Sequence, residues 1–226
     1  MSKVKMFSVL LAFFLLVSCV AKMQDVSTVT YAKVGFDRES LKTSGVAILP
    51  ISAGEGIEGY RRPFGDAVNI SLGTLGGEIS CLKWQETIDL LNQHDLASRY
   101  QEAIIRYKDT SIIDKNLIID MGRSLGVRYF LFIELQPFQN DSQLKPSLLS
   151  DGFYTQETKG VQAIGQLWDS EDGDVVWEGI GGAKAQSGEL SYIKTHNPEE
   201  YSKMAADGLV RQLLGLRPAA AQKTKK

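Results

Sequence analysis

Cysteine and histidine are nearly missing from this chain, with two of each in 226 residues. That excludes a disulfide-stapled scaffold and leaves a histidine-rich metal centre without ligands. An excess of one charge is missing too. Lys and Arg number 25 against 27 Asp and Glu, a net charge of −2, so the basic field that nucleic-acid binding requires is not there. The uncharged apolar run from Met6 to Val17 would span roughly 18 Å as a helix, short of the ~30 Å hydrocarbon core of a bilayer. What remains is ordinary globular composition, 43% apolar and 23% charged, enough for one domain with a sizeable core.

The amino terminus carries an address. Lys3 and Lys5 precede the apolar run, which holds Phe7, Leu10, Leu11, Phe13, Phe14, Leu15 and Leu16. Basic residues followed by a short apolar stretch form a secretory signal. Its end, Leu16-Val17-Ser18-Cys19, resembles the lipobox of bacterial lipoproteins. The resemblance implies removal of residues 1–18, a diacylglyceryl thioether on Cys19 and an acylated new amino terminus; two or more such chains, palmitate among them, anchor a protein stably where one is marginal. Val20 stands where inner-membrane retention in lipoproteins of enteric type requires Asp, which implies the outer membrane with the domain facing the periplasm. Cys81 is then the sole remaining thiol, and in an apolar strand it reads as buried and inert.

Residues 20–43 are polar, rich in Ser, Thr and Lys, and hold no sustained period of 2 or 3.6, so residues 19–43 are expected to be a lipidated flexible tether. The domain is expected over 44–215. Gly45 to Pro50 has the form of a strand covered on both faces. Gly54, Gly56 and Gly59 make a loop before a helix with Pro63 in its first turn and Phe64, Ala67, Val68 and Leu72 on its apolar face. Ile79 to Trp84 suggests a second strand. Residues 84–91 and 96–107 read as helices, the latter capped by Asp95, and Asp114 caps another that ends at Gly126. Val127 to Leu135 is dense in β-branched and aromatic residues and is the expected central strand.

Pro137 to Lys159 reads as a polar connection. Gly160–Asp169 and Asp174–Ala185 form a hairpin across an Asp-Gly turn, with Trp168 and Trp177 as packing residues on its two arms. Asn197-Pro198-Glu199-Glu200 opens a last helix closed by Gly215. Residues 216–226 are a basic tail expected to be disordered. The element order gives an α/β class, a single sandwich domain with a mixed sheet.

The strand VAILP, the helix ending in SLGV before YFLFIEL, and the hairpin GQLWDSEDGDVVWEG together resemble a superfamily of envelope proteins. It includes the curli-export outer-membrane lipoprotein, the amino-terminal domain of the Tol-system β-propeller protein, and lipoprotein activators of penicillin-binding proteins. The resemblance implies a periplasmic domain that acts by binding other envelope proteins or by self-association. In the curli exporter, inserted strands build a membrane barrel. The 137–159 connection, with Pro137, Asn140, Asp141, Lys145 and Pro146, lacks the roughly ten-residue alternating segments of barrel strands, which argues against a pore.

Chemical motifs have bland rivals here. Gly54-Glu55-Gly56-Ile57-Glu58-Gly59 fits G-x-G-x-x-G with Glu78 downstream, but its two acids would face a pyrophosphate, and no cofactor is expected. Asp169, Glu171, Asp172 and Asp174 crowd one turn, but Gly173 and Ile180 occupy ligand positions of an EF-hand loop, so no metal is expected. His94 and His196 are the only imidazoles, and neither belongs to a catalytic motif. The expected protein is therefore non-enzymatic, a binding or assembly lipoprotein with an envelope protein or a second copy of itself as partner. The rival readings are an envelope hydrolase using His94 or His196, and a subunit of an export pore. Tyr60, Arg61, Arg62 and Phe64, an aromatic and guanidinium group beside a helix start, are the expected partner-binding residues.

Overall fold

The computed structural model describes residues 23–77, 79–138, 142–147, 152–187 and 197–217. Nine strands form one mixed sheet: β1 (Met23–Asp25), β2 (Thr28–Ala32), β3 (Val46–Ile48), β4 (Ser52–Ala53), β5 (Cys81–Leu82), β6 (Tyr129–Pro137), β7 (Ser142–Pro146), β8 (Phe153–Asp169) and β9 (Asp174–Gln186). The order across the sheet is β1-β9-β8-β6-β3-β5, with β2 also on β9, β4 also on β6, and β7 on β8. β3 runs parallel to both β5 and β6, whereas β8 is antiparallel to its two neighbours, β6 and β9. The six helices described are α1 (Ser40–Ser44), α2 (Arg61–Leu75), α3 (Trp84–Gln93), α4 (Ala97–Thr110), α5 (Lys115–Leu125) and α6 (Pro198–Leu213).

Two cores lie on opposite faces of the sheet. Tyr129, Leu131, Ile133 and Leu135 of β6 pack with Phe64, Val68 and Leu72 of α2 and with Ala205, Leu209 and Leu213 of α6. Phe130 and Phe132 face the other way, toward Leu91, Tyr100, Leu117, Ile118 and Met121 of α3, α4 and α5. This double coverage explains why β6 reads as a continuous apolar run rather than an alternating one. Trp168 and Trp177 are both core residues, one on each face, separated by a register shift in the β8–β9 pairing.

α6 lies close against the sheet because both surfaces are small. It presents Ala205, Ala206 and Gly208, and below it the strands present Gly165 and Gly181. A Cβ on Gly181 would collide with the Ala205 carbonyl oxygen and come within 2.6 Å of Leu209 Cβ.

Several local expectations are met. Asp114 accepts from the Leu117 N–H at 3.1 Å, Gly126 ends α5 in the left-handed region, and Asn197 accepts from the Glu199 N–H at 3.1 Å. Others are corrected. The segment from residue 23 to 43 is not a tether: β1 and β2 pair antiparallel with β9, and α1 buries Leu41. It shows no apolar period because β2 is an exposed edge strand held by backbone bonds. Residue 95 is not a cap. Asp95 is left-handed (φ 56°), and Leu96 occupies the cap position of α4. The second strand is reduced to Cys81–Leu82, with α3 starting at Trp84. The 137–159 connection contains an antiparallel hairpin of β7 with the first part of β8, whose exposed faces demand no apolar pattern.

Candidate functional site

The segment from β4 to α2 is built by backbone bonds. Gly54 N–H donates to the Leu135 carbonyl at 2.9 Å, Gly56 (φ 82°) turns the chain with its N–H on Glu58 Oε1 at 3.2 Å, and a 3-10 turn over Glu58–Tyr60 delivers it to α2. The glycines therefore stand outside the helix, and the helix amino terminus belongs to Arg61. This is not the geometry of a dinucleotide loop, in which the glycines open the helix.

The four expected partner-binding residues divide. Arg61 and Arg62 are exposed, whereas Tyr60 and Phe64 are core residues packed with α6 and β6. Phe64 is in phase with Val68 and Leu72, so helical geometry turns it inward, and burial pushes the Tyr60 phenol up from its ordinary pKa. Cys19 and His196 lie outside the described residues. His94 is exposed at the end of α3, and its imidazole makes no hydrogen bond among the described residues.

Arg62 opens onto a groove that the sequence did not disclose. It lies between α2 and α6, encloses about 420 Å³, and has Pro63, Ala67 and Ile70 along one wall and Glu199, Lys203 and Asp207 along the other. Ile70 is 63% exposed although aliphatic. Between the helices the buried Ser71 hydroxyl donates to the Asp207 carboxylate, fixing one helix against the other. Arg62 and Asp66 pair only loosely across the rim, at 3.9 Å with both side chains well exposed, so both can exchange partners at little cost.

On the far side of α6 a second groove of about 380 Å³ runs past Met23 and Asp25 of β1, Met204 and Arg211. Lys203 and Asp207 border both grooves and form the ridge between them. Apolar walls with adaptable methionine and rims of both charge signs suit a polypeptide surface, which presents both kinds of group.

The turn between β8 and β9 is more than a solvated loop. Asp172 and Asp174 both accept from Lys33 Nζ at 2.8 Å, and Asp174 also pairs with Lys115. The bonds from Lys115 and then Lys33 hold the Asp174 carboxyl down at about 2. Asp172 is likewise lowered, chiefly by its bond from Lys33, whose own pKa the two carboxylates raise. Arg128 grips the buried Asp169 beside them and reaches Glu171 at 2.8 Å. Four acids are thus met by three cations from three separate segments, a clamp rather than a cation cage. Among the described residues no acid, histidine or cysteine cluster could hold a metal ion.

No family model matches this chain. No curated protein matches it either. Solved structures do resemble its fold. PelC from Paraburkholderia phytofirmans, described as a dodecamer, shares 14% identity over 87% of this chain and 100% of its own, with a TM-score of 0.45. The lipoprotein GNA1162 from Neisseria meningitidis shares 13% over 76% of this chain and 99% of its own, with a TM-score of 0.40. The LpoB C-terminal domain from Salmonella enterica shares 13% over 65% and 98%, with a TM-score of 0.36. At this identity and these scores, the likeness reaches neither family membership nor function. Among the described residues no helix is long and apolar enough to cross a membrane.

Proposed function

We propose that this chain is a cell-envelope lipoprotein, lipidated at Cys19 and held at the outer membrane facing the periplasm, that acts by binding another envelope protein rather than by turnover. The observation that carries the binding reading is the α2–α6 groove, with aliphatic Ile70 in solvent beside Pro63 and Ala67 and a rim of exchangeable charges. An exposed aliphatic residue in a concave site contributes only when covered, and a rim of Arg62, Asp66, Glu199 and Lys203 supplies orientation. The lipobox Leu16-Val17-Ser18-Cys19 supports the address.

The test is partner recovery from envelope crosslinking. Ile70→Glu and Lys203→Glu, which alter the groove at exposed positions, are expected to lower recovery at least tenfold while leaving the thermal transition in place. Truncation after Leu216 is expected to leave recovery unchanged. Loss on truncation with retention in both groove variants would place the binding surface at the carboxy terminus and refute the reading.

A further inference from the structure

The register of the sheet fixes where the chain enters the fold. β1 runs antiparallel to β9 with Met23 opposite Ala185 and Asp25 opposite Ala183, so β1 begins at the Gln186 end of the sheet. β8 is antiparallel to β9 with Lys159 opposite Ala185, and past that level it continues to Phe153 with β7 alongside. The start of β1 and the β7–β8 arm therefore lie at the same end of the sheet.

Their lengths can be compared. Six residues from Lys159 to Phe153 extend roughly 20 Å at strand rise. Four residues from Cys19 to Met23 span at most about 14 Å when fully extended. The arm outreaches the leash. Its surface chemistry matches what lies there. Leu144 and Phe153 are 73% and 74% exposed, and the pairings Leu144 with Thr155 and Pro146 with Phe153 put both apolar side chains on one face of the hairpin. Lys145 sits on the opposite face, opposite Tyr154. An aromatic and an aliphatic on one side, with a cation and a phenol on the other, is the amphipathic arrangement that rests at the boundary between headgroups and acyl chains.

We propose that the β7–β8 arm is a second membrane contact, inserting Phe153 and Leu144 into the interface of the bilayer that carries the anchor. The inference rests on lipidation of Cys19, because that places the bilayer within reach. Two contacts at one end of the sheet hold the domain in a fixed attitude, with the opposite end, where Lys33 meets the β8–β9 turn, directed away from the membrane.

The experiment uses the full-length lipidated protein in vesicles of phosphatidylethanolamine and phosphatidylglycerol, with and without brominated acyl chains. Tryptophan replaces Phe153 in one variant and Val34, which is fully exposed beside Lys33 at the far end, in another. Brominated lipid is expected to quench the added emission of Phe153→Trp at least twofold more than that of Val34→Trp. Equal quenching, or a blue shift at Phe153→Trp that depends on protein concentration and not on brominated lipid, overturns the proposal. The second pattern would mean that the arm meets another copy of the chain. Flotation of the same samples separates this result from the anchor itself. Cys19→Ala is expected to lose flotation, whereas Phe153→Asp is expected to keep it and lose only the ordered attitude. If Cys19→Ala floats like the wild type, the lipidation reading fails and the leash argument goes with it. A protein that floats through Cys19 yet shows no quenching at Phe153→Trp refutes the arm contact alone.

Discussion

Arg128 holds the buried carboxylate of Asp169 by three hydrogen bonds, Nε to both oxygens at 3.0 and 3.1 Å and Nη2 to Oδ2 at 2.7 Å, while its guanidinium lies 5.0 Å from the centre of the Tyr129 ring. The pair joins the start of β6 to the end of β8, two strands whose apolar faces form the sandwich. Removing only the cation leaves a desolvated charge without its partner. Arg128→Met is expected to destabilise the domain by about 3 kcal/mol, and Arg128→Met with Asp169→Leu to recover most of that loss. Urea denaturation of the two variants checks both statements, and a single variant as stable as the wild type would show that Asp169 is solvated.

The Lys33 clamp adds a pH dependence with a definite sign. A carboxyl whose folded pKa is lowered stabilises the fold at every pH above its unfolded value, near ~4, and that contribution is lost as the pH falls toward the folded value, about 2 for Asp174. Lys33, raised above its ordinary value, contributes fully below about 10.5 and loses that contribution only in stronger alkali. The wild type is therefore expected to lose midpoint stability between roughly pH 4 and 2, and Asp174→Asn to show a shallower decline over that interval. Parallel acid titrations of the thermal transition are the check.

Two glycines should respond to alanine in opposite directions. At Gly181 the new methyl meets the Ala205 carbonyl and Leu209, so α6 must lift from the sheet, at an expected cost of about 1–3 kcal/mol. Gly73 lies in α2 with open space around its Cβ direction, and Gly73→Ala is expected to stabilise the chain by about 0.5–1 kcal/mol through helix propensity. Denaturation midpoints decide both signs.

These particular residues show what the sequence can disclose. β6, the β8–β9 hairpin and the caps at Asp114 and Asn197 were legible because each is specified locally, by continuous apolar residues, by a turn or by one side-chain oxygen. β1, β2 and the β7–β8 arm were not: β1 and β2 are held by backbone pairing to β9, far along the chain, and β2 and the arm are mostly exposed and so need no apolar pattern. At the site, the helical phase of Phe64 with Val68 and Leu72 already carried the signal that Phe64 turns inward, and Ile70, out of phase with all three, carried the signal for the exposed wall. The opposing wall could not be read. Asp207 meets Ser71 across 136 residues of sequence, and nothing local to α6 announces that contact.

The central claim, that the α2–α6 groove binds another envelope protein, is tested most directly by a photoreactive benzoylphenylalanine placed in living cells at Ile70, with Ile105 on α4 as the comparison. Both residues are exposed and aliphatic, and they lie on helices covering opposite faces of the sheet. The account expects irradiation to give, from position 70, a discrete crosslinked species containing a second, different envelope protein, and no such species from position 105. A discrete heterologous product from position 105 alone, or from position 70 only dimers of this chain, would contradict it.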